Sequence, residues 1–218
     1  MSVTLHGYRY SVYLRIARLA LVEKGVSWDH VEVDPFAETI PADYLALHPF
    51  GRVPTLVHDG FALYETTAII RYVDEAFPGE PLQPSDARRR ARMNQMIAIA
   101  DSYGYWPMVR QVFTQRVFNV ASGLAPDEAV LAEGLRGSRR VLAALEDLAA
   151  GGDFLVGDRL SLADLHVGAM VACFTAAQEG AAELRAFPKL HGWWQAMRSR
   201  DSFGRTEPGL PGPISSSA

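Results

Sequence analysis

The sequence predicts two domains, a small α/β unit built on a mixed sheet followed by an all-helical unit. Three observations predict this. Short apolar runs alternate with helical patterns up to about residue 77. The segment FPGEPLQPS then concentrates proline and glycine among polar residues. Beyond residue 85 the strand pattern gives way to long stretches of helical spacing. The α/β domain is therefore expected at 1–77, a linker at 78–86, the helical domain at 87–205 and a flexible tail at 206–218. With 218 residues, 49% of them hydrophobic, the chain can bury two small cores.

Val3–Leu5 reads as a short strand. A helix follows from about Ser11 to Lys24, with Gly25 as its stop. SWDHVEVD alternates in part and reads as a second strand, while PFAETIPADYLAL reads as one or two irregular helical turns. TLVHDG and FALYE form a hairpin turned at Asp59–Gly60. A helix over about Thr66–Ala76 completes a pattern that fits a small mixed sheet with helices against it. The second half carries a long helical pattern over about 86–120, with Gly104 and Pro107 as bend points. Pro126 is expected to open a helix running to about Ala150, Ser161 a third and Pro188 a fourth ending near Arg200. Ser161 and Asp164 have the spacing of a capping box, and Leu160 and Leu165 that of a hydrophobic staple. Their expected role is structural. Trp193 and Trp194 read as core or interface residues.

Composition removes several function classes. Lys and Arg number 21 against 25 Asp and Glu, a formal net charge of −4, which offers no general attraction to nucleic acid. The basic run around residues 88–92 is spread round its helix and suits pairing within or between protein chains. The single cysteine, Cys173, precludes a disulfide within the chain, points to a reducing, cytoplasmic setting and is expected buried. The start MSVTLHG carries neither a basic region nor a long apolar run, so no signal peptide is expected. No membrane span is expected either. GxGxxG, CxxC, GxSxG and HExxH are all missing, and the 6 histidines are scattered, so no metal site is expected.

The chemistry concentrates in three segments. Ser11 follows the first strand and opens the first helix, where free N–H groups and the helix dipole favour an anion, a thiolate included. Its hydroxyl can donate to a thiolate, or it can serve simply as a helix cap. Tyr8 and Tyr10 are rival donors or pocket walls. Arg15, four residues after Ser11, can support the site or form a salt bridge between the domains. Val53–Pro54 precedes the third strand; a cis bond there would present the Val53 backbone to an extended peptide ligand, whereas a trans bond would make an ordinary turn. Glu65 can pair with a ligand ammonium, and the Thr66 hydroxyl with its helix start can hold a carboxylate, or the two can only cap. His48 and Arg52 can reach nearby charges or stand solvated in their loop.

Taken in order, SVYLRIARLAL, HPFGRVPTLVHDG, LYETTAIIRYVDE and GDRLSLADLHVG resemble the cytosolic glutathione transferase family over roughly residues 2–200, most closely its serine-type members. The resemblance implies a thioredoxin-like N-terminal domain and an all-α helical-bundle C-terminal domain. It implies glutathione as co-substrate, Ser11 as thiolate donor, a cis Pro54 and the Val53 backbone on the cysteinyl unit of glutathione. It further implies Glu65 and Thr66 on the γ-glutamyl end, with Arg52 and His48 alongside. A small hydrophobic electrophile or peroxide would meet the sulfur between the domains, with Tyr103, Trp106 and Arg110 as pocket candidates. A homodimer is implied too. The chain departs from the family pattern at His48-Pro49, where Asn-Pro is usual, and at Tyr10-Ser11-Val12-Tyr13, so Tyr8 and Tyr10 stay open beside Ser11. A glutathione-dependent isomerase of maleylacetoacetate type and a non-catalytic glutathione-binding or structural protein would share the same thiol site.

Overall fold

The computed structural model describes residues 2–213, in two compact units. The first holds a four-stranded sheet ordered β2-β1-β3-β4. Its strands are β1 (Val3–Gly7), β2 (Asp29–Glu32), β3 (Thr55–His58) and β4 (Phe61–Tyr64). β1 runs parallel to β2 and antiparallel to β3, and β3 and β4 form the hairpin. Helix α1 (Val12–Glu23) is the crossover between β1 and β2, and it packs against α3 (Thr66–Ala76). A short α2 (Ala42–Leu47) lies between β2 and β3.

Local chemistry accounts for these elements. Leu14, Ile16, Leu19 and Leu21 of α1 are fully buried, as are Leu5 of β1 and Ile69 and Ile70 of α3. They form one apolar core beneath the sheet. At the end of α1, Gly25 takes φ +65°, its N–H reaches the Val22 carbonyl, and the Val26 N–H reaches that of Leu21. This is the paired closure that a left-handed residue makes possible. The hairpin turn has φ 46° at Asp59 and 87° at Gly60, the geometry that matches strand twist.

The second unit spans Pro84–Arg200 and takes in residues 209–213. Helix α4 (Ala87–Ile99) continues into Ala100–Phe118, which is wound in the wide π manner, and ends in a short α turn, Asn119–Ala121. The expected bend at Gly104 and Pro107 is thus replaced by a change of winding, with Pro107 inside the wide segment. Pro126 does not open the next helix. Asp127 caps it, accepting the Ala129 and Val130 N–H groups, and the helix runs Glu128–Leu148. The core helix Leu162–Ala176 is buried on nearly every side. It is followed by Gln178–Leu184, missed in the sequence, and by Pro188–Arg198 with its proline in the first turn. Cys173 is half-buried, not fully buried as expected.

Asp164 ties this unit together. Its carboxylate accepts from the Ser161 N–H at 2.8 Å, the Ser161 hydroxyl at 2.7 Å, the Leu155 N–H at 2.7 Å and the Trp193 indole at 2.9 Å. Burial pushes the carboxyl up, and those four donors pull it back.

The unit boundaries differ from the expected 77 and 87. Residues up to Gln83 belong with the first unit, and so does Asp201–Pro208, which includes the helix Asp201–Arg205. The reason is a buried ion pair, Lys24 with Asp74 at 3.2 Å. Lys24 also donates to the Gly79 and Glu80 carbonyls, and Asp74 accepts from the Leu82 and Gln83 N–H groups. The expected linker is thereby strapped to the sheet domain. The expected tail also begins too early. Thr206 is fully buried and Glu207 is bonded to Arg15, while 214–218 lie outside the described residues.

Candidate active site

Register brings the three chemical segments to one end of the sheet. His6 pairs with Thr55 across β1 and β3, and Thr55 pairs with Tyr64 across β3 and β4. The exit of β1 toward Ser11, the entry to β3 through Val53–Pro54 and the exit of β4 into Glu65–Thr66 therefore share an edge. The gap between segments remote in sequence closes without any long loop.

Ser11 is the N-cap of α1, in extended backbone at φ −71° and ψ 125°. Its Oγ accepts the Leu14 N–H at 3.3 Å, which leaves the hydroxyl proton free for another acceptor. The first turn of α1 contains no acidic residue to neutralise its positive end. Beside it, Tyr8 lies edge-on to Tyr10 and to Phe36, and the Arg9 guanidinium stands over the Tyr10 ring. The Tyr8 phenol is pushed up by burial and further by Asp34, Tyr10 and Glu32, so it stays protonated at neutral pH.

The Val53–Pro54 bond is cis. Its loop is held by Tyr44, a buried residue of α2 that sequence reasoning did not single out. The Tyr44 hydroxyl donates to the Arg52 carbonyl and lies 3.1 Å from the Thr55 hydroxyl. Only the apolar spacing of ADYLAL could have hinted at it. Gly51 takes φ +58°, a conformation that side chains rarely adopt, and a Cβ there would displace the Ile40 Cδ1 that lies 2.6 Å away.

Glu65 is exposed and takes φ +70° at the mouth of α3, a conformation rare outside glycine, whereas Thr66 behind it is buried. Strain of this kind concentrates where a side chain must face a ligand. His48 is not a solvated loop residue: it is 2% exposed, stacks on Tyr64 at 4.6 Å, and its Nδ1 has no hydrogen-bond partner among the described residues. Burial pulls its imidazole below the ordinary value, against the opposing pull of Glu65. Arg52 is exposed.

Arg15 is bonded within the first unit. Nearly buried, it donates to the Phe203 carbonyl at 3.1 Å and to Glu207 at 2.7 Å, both in the returning segment of the first unit. Tyr103 and Trp106 are exposed neighbours on the wide-wound segment, and Arg110 half-buried one turn on. Ser161 and Asp164 form the capping structure expected of them.

A hydroxyl at a helix start, a cis-proline loop and a carboxylate at the mouth of the third helix, all at one end of a four-stranded mixed sheet, mark the first unit as a domain of the thioredoxin-like class. The models of the glutathione S-transferase N-terminal domain and of the glutathione S-transferase C-terminal domain match residues 5–81 and 97–201. Glutathione S-transferase 3 of Zea mays is 32% identical over 93% of this chain and 94% of its own. Glutathione S-transferase F13 of Arabidopsis thaliana is 28% identical over 96% and 97%. Among solved structures, glutathione S-transferase III in apo form superposes with a TM-score of 0.84 at 29% identity, covering 98% of this chain and all of its own. Glutathione S-transferase I from maize, in complex with an atrazine glutathione conjugate, gives 0.81 at 26% identity over 94% and 96%. The chain belongs to the glutathione S-transferase family.

Proposed function

We propose that this glutathione transferase uses Ser11 to hold the glutathione sulfur as a thiolate and directs it at a small hydrophobic electrophile. The observation that carries the assignment is the Ser11 hydroxyl, fixed as a helix cap with its proton still available. A free thiol has a pKa of about 8.5, so most of it is protonated at neutral pH. A hydrogen bond to a charged group contributes about 1.5–3 kcal/mol, or one to two pKa units. Toward the upper end of that range thiolate becomes the main species at neutral pH, and even the lower end raises its share several-fold. The sulfur lone pair then attacks the electrophilic carbon. A leaving group departs with its electron pair, or the adduct takes up a proton from water. With a peroxide the sulfur attacks one oxygen, the O–O bond breaks, the other oxygen leaves as an alcohol after taking up a proton, and the glutathione sulfenic acid condenses with a second glutathione to give the disulfide and water.

In the same proposal the Val53 backbone binds the cysteinyl unit, and Glu65 and Thr66 hold the charged γ-glutamyl end. Glu65 takes the ammonium; the Thr66 hydroxyl and the α3 start take the carboxylate. Arg52 and His48 flank that end. Tyr103, Trp106 and Arg110 present an aromatic surface with one cation to the electrophile. Family membership supports a homodimer acting in cytoplasmic detoxification, which light scattering and fractionation address. No described helix is long and apolar enough to cross a membrane.

The test follows thiolate formation in the glutathione complex by ultraviolet absorbance. Ser11→Ala should raise the bound thiol pKa by about one to two units and lower kcat/KM by roughly 10- to 100-fold. Tyr10→Phe and Tyr8→Phe should change both by less than about threefold. An unchanged thiol in Ser11→Ala would refute the assignment. Consumption of glutathione distinguishes conjugation from isomerisation, which regenerates it.

A further inference from the structure

The backbone fixes His48 from both sides. Its N–H closes α2 on the Tyr44 carbonyl at 2.9 Å, and its own carbonyl accepts the Gly51 N–H at 2.9 Å in the loop that leads to the cis bond. Its ring sits among aromatic rings from α2, the loop and β4. Tyr64 stacks on it at 4.6 Å and 28°, Phe50 meets it edge-on at 6.2 Å, and Tyr44 lies tilted at 6.3 Å. Its buried Nδ1 finds no hydrogen-bond partner among the described residues. A ring held this tightly cannot turn away when its charge changes.

The phenols of Tyr44 and Tyr64 face the imidazole, with Glu65 from the mouth of α3 and Arg52 from the same loop as the charged neighbours. Burial pushes the Tyr44 phenol up, so it stays neutral. Burial also acts first against an imidazolium at position 48; Glu65 opposes that effect and Arg52 adds to it. Of these groups only Glu65 can neutralise the imidazolium. A carboxylate already paired with one partly desolvated cation gains less from a second, and the two cations repel each other.

Granted Glu65 as partner of the γ-glutamyl ammonium in the proposed function, we infer that His48 is a positioning residue for that end of glutathione. Its neutral imidazole leaves the Glu65 carboxylate to the ligand, and its imidazolium takes the carboxylate away. Proton and peptide therefore compete, and the coupling is reciprocal: acid weakens the peptide, and the bound ammonium drives the proton off His48. Asparagine, the usual residue at this place in the family pattern, has no proton to exchange there.

The probe is S-methylglutathione, which has no thiol to titrate. Its deaminated analogue, with glutaryl in place of γ-glutamyl, is measured alongside. Both are titrated calorimetrically into the full chain at about pH 7 and about pH 5, on either side of the ordinary imidazole value. S-methylglutathione should bind at least about threefold more weakly at the lower pH, with proton release read from buffers of different ionisation enthalpy. The analogue has no ammonium to repel and should not weaken, which separates the competition from acid damage to the site. His48→Gln and His48→Asn should each bring the ratio of the two affinities to within about 1.5-fold of one, whatever their affinity at neutral pH. Either variant suffices if the other fails to fold. Glu65→Gln should weaken S-methylglutathione at least about tenfold at about pH 7. Full affinity in Glu65→Gln would overturn the ammonium placement itself. With that placement intact, a wild-type ratio near one, an unchanged ratio in a folded His48 variant, or equal weakening of the analogue would each overturn the inference.

Discussion

Glu65 shows what a single residue gives up for a site. Its φ of +70° costs of order 1–3 kcal/mol for a side chain with a Cβ. Glycine carries no such cost but loses the carboxylate. Glu65→Gly should therefore raise the urea midpoint, by about 1 kcal/mol in stability, while glutathione affinity falls at least about tenfold through loss of the ammonium partner. A variant destabilised by the change would contradict the strain argument. Glu65→Gln keeps the strain and should lose only affinity. Those two outcomes together would mark position 65 as held by ligand binding, beside a Thr66 that is buried.

Two elements rest on buried carboxylates, and their neighbours set the energetics. Asp74→Ala leaves Lys24 buried without its counter-ion and the Leu82 and Gln83 N–H groups without an acceptor, at a cost of about 3–5 kcal/mol. Lys24→Met should cost distinctly less, because Asp74 keeps those bonds; urea unfolding that reverses this order would refute the account. Asp164→Ala removes the acceptor of four donors around the core helix and should cost at least about 3 kcal/mol, against about 1 kcal/mol for Ser161→Ala, by the same measurement. The Ser161–Asp164 pair was legible in the sequence because a capping box is a local pattern. So were the hairpin at Asp59–Gly60, the Gly25 stop and Ser11 at a helix start. The Lys24–Asp74 strap and the Arg15–Glu207 pair were not, because their partners lie 50 and 192 residues apart. The π winding of Ala100–Phe118 was hidden for another reason: one residue per turn shifts the apolar spacing, and Pro107 reads as a simple bend. The burial of His48 was equally invisible, since HPFG looks like any polar turn.

At the scale of the molecule, acid should weaken the fold through two desolvated imidazoles, half-buried His6 and buried His48. Burial pulls both His6 and His48 below the ordinary value of about 6.5. The folded chain then binds fewer protons than the unfolded chain in that region, so stability rises with pH there. Their contribution is present above about pH 6.5 and is lost as pH falls toward the folded-state values. The urea midpoint should drop between about pH 7.5 and about pH 5.5, and His48→Gln should flatten the drop; an equal slope in the variant would show that His48 carries no share. The return of Asp201–Pro208 to the first unit reaches further. Synthesis proceeds from the N-terminus, so the sheet domain emerges first yet lacks the anchor for Arg15 until Phe203 and Glu207 have followed the whole of Pro84–Arg200. On the ribosome the early domain must wait for residues made after its neighbour.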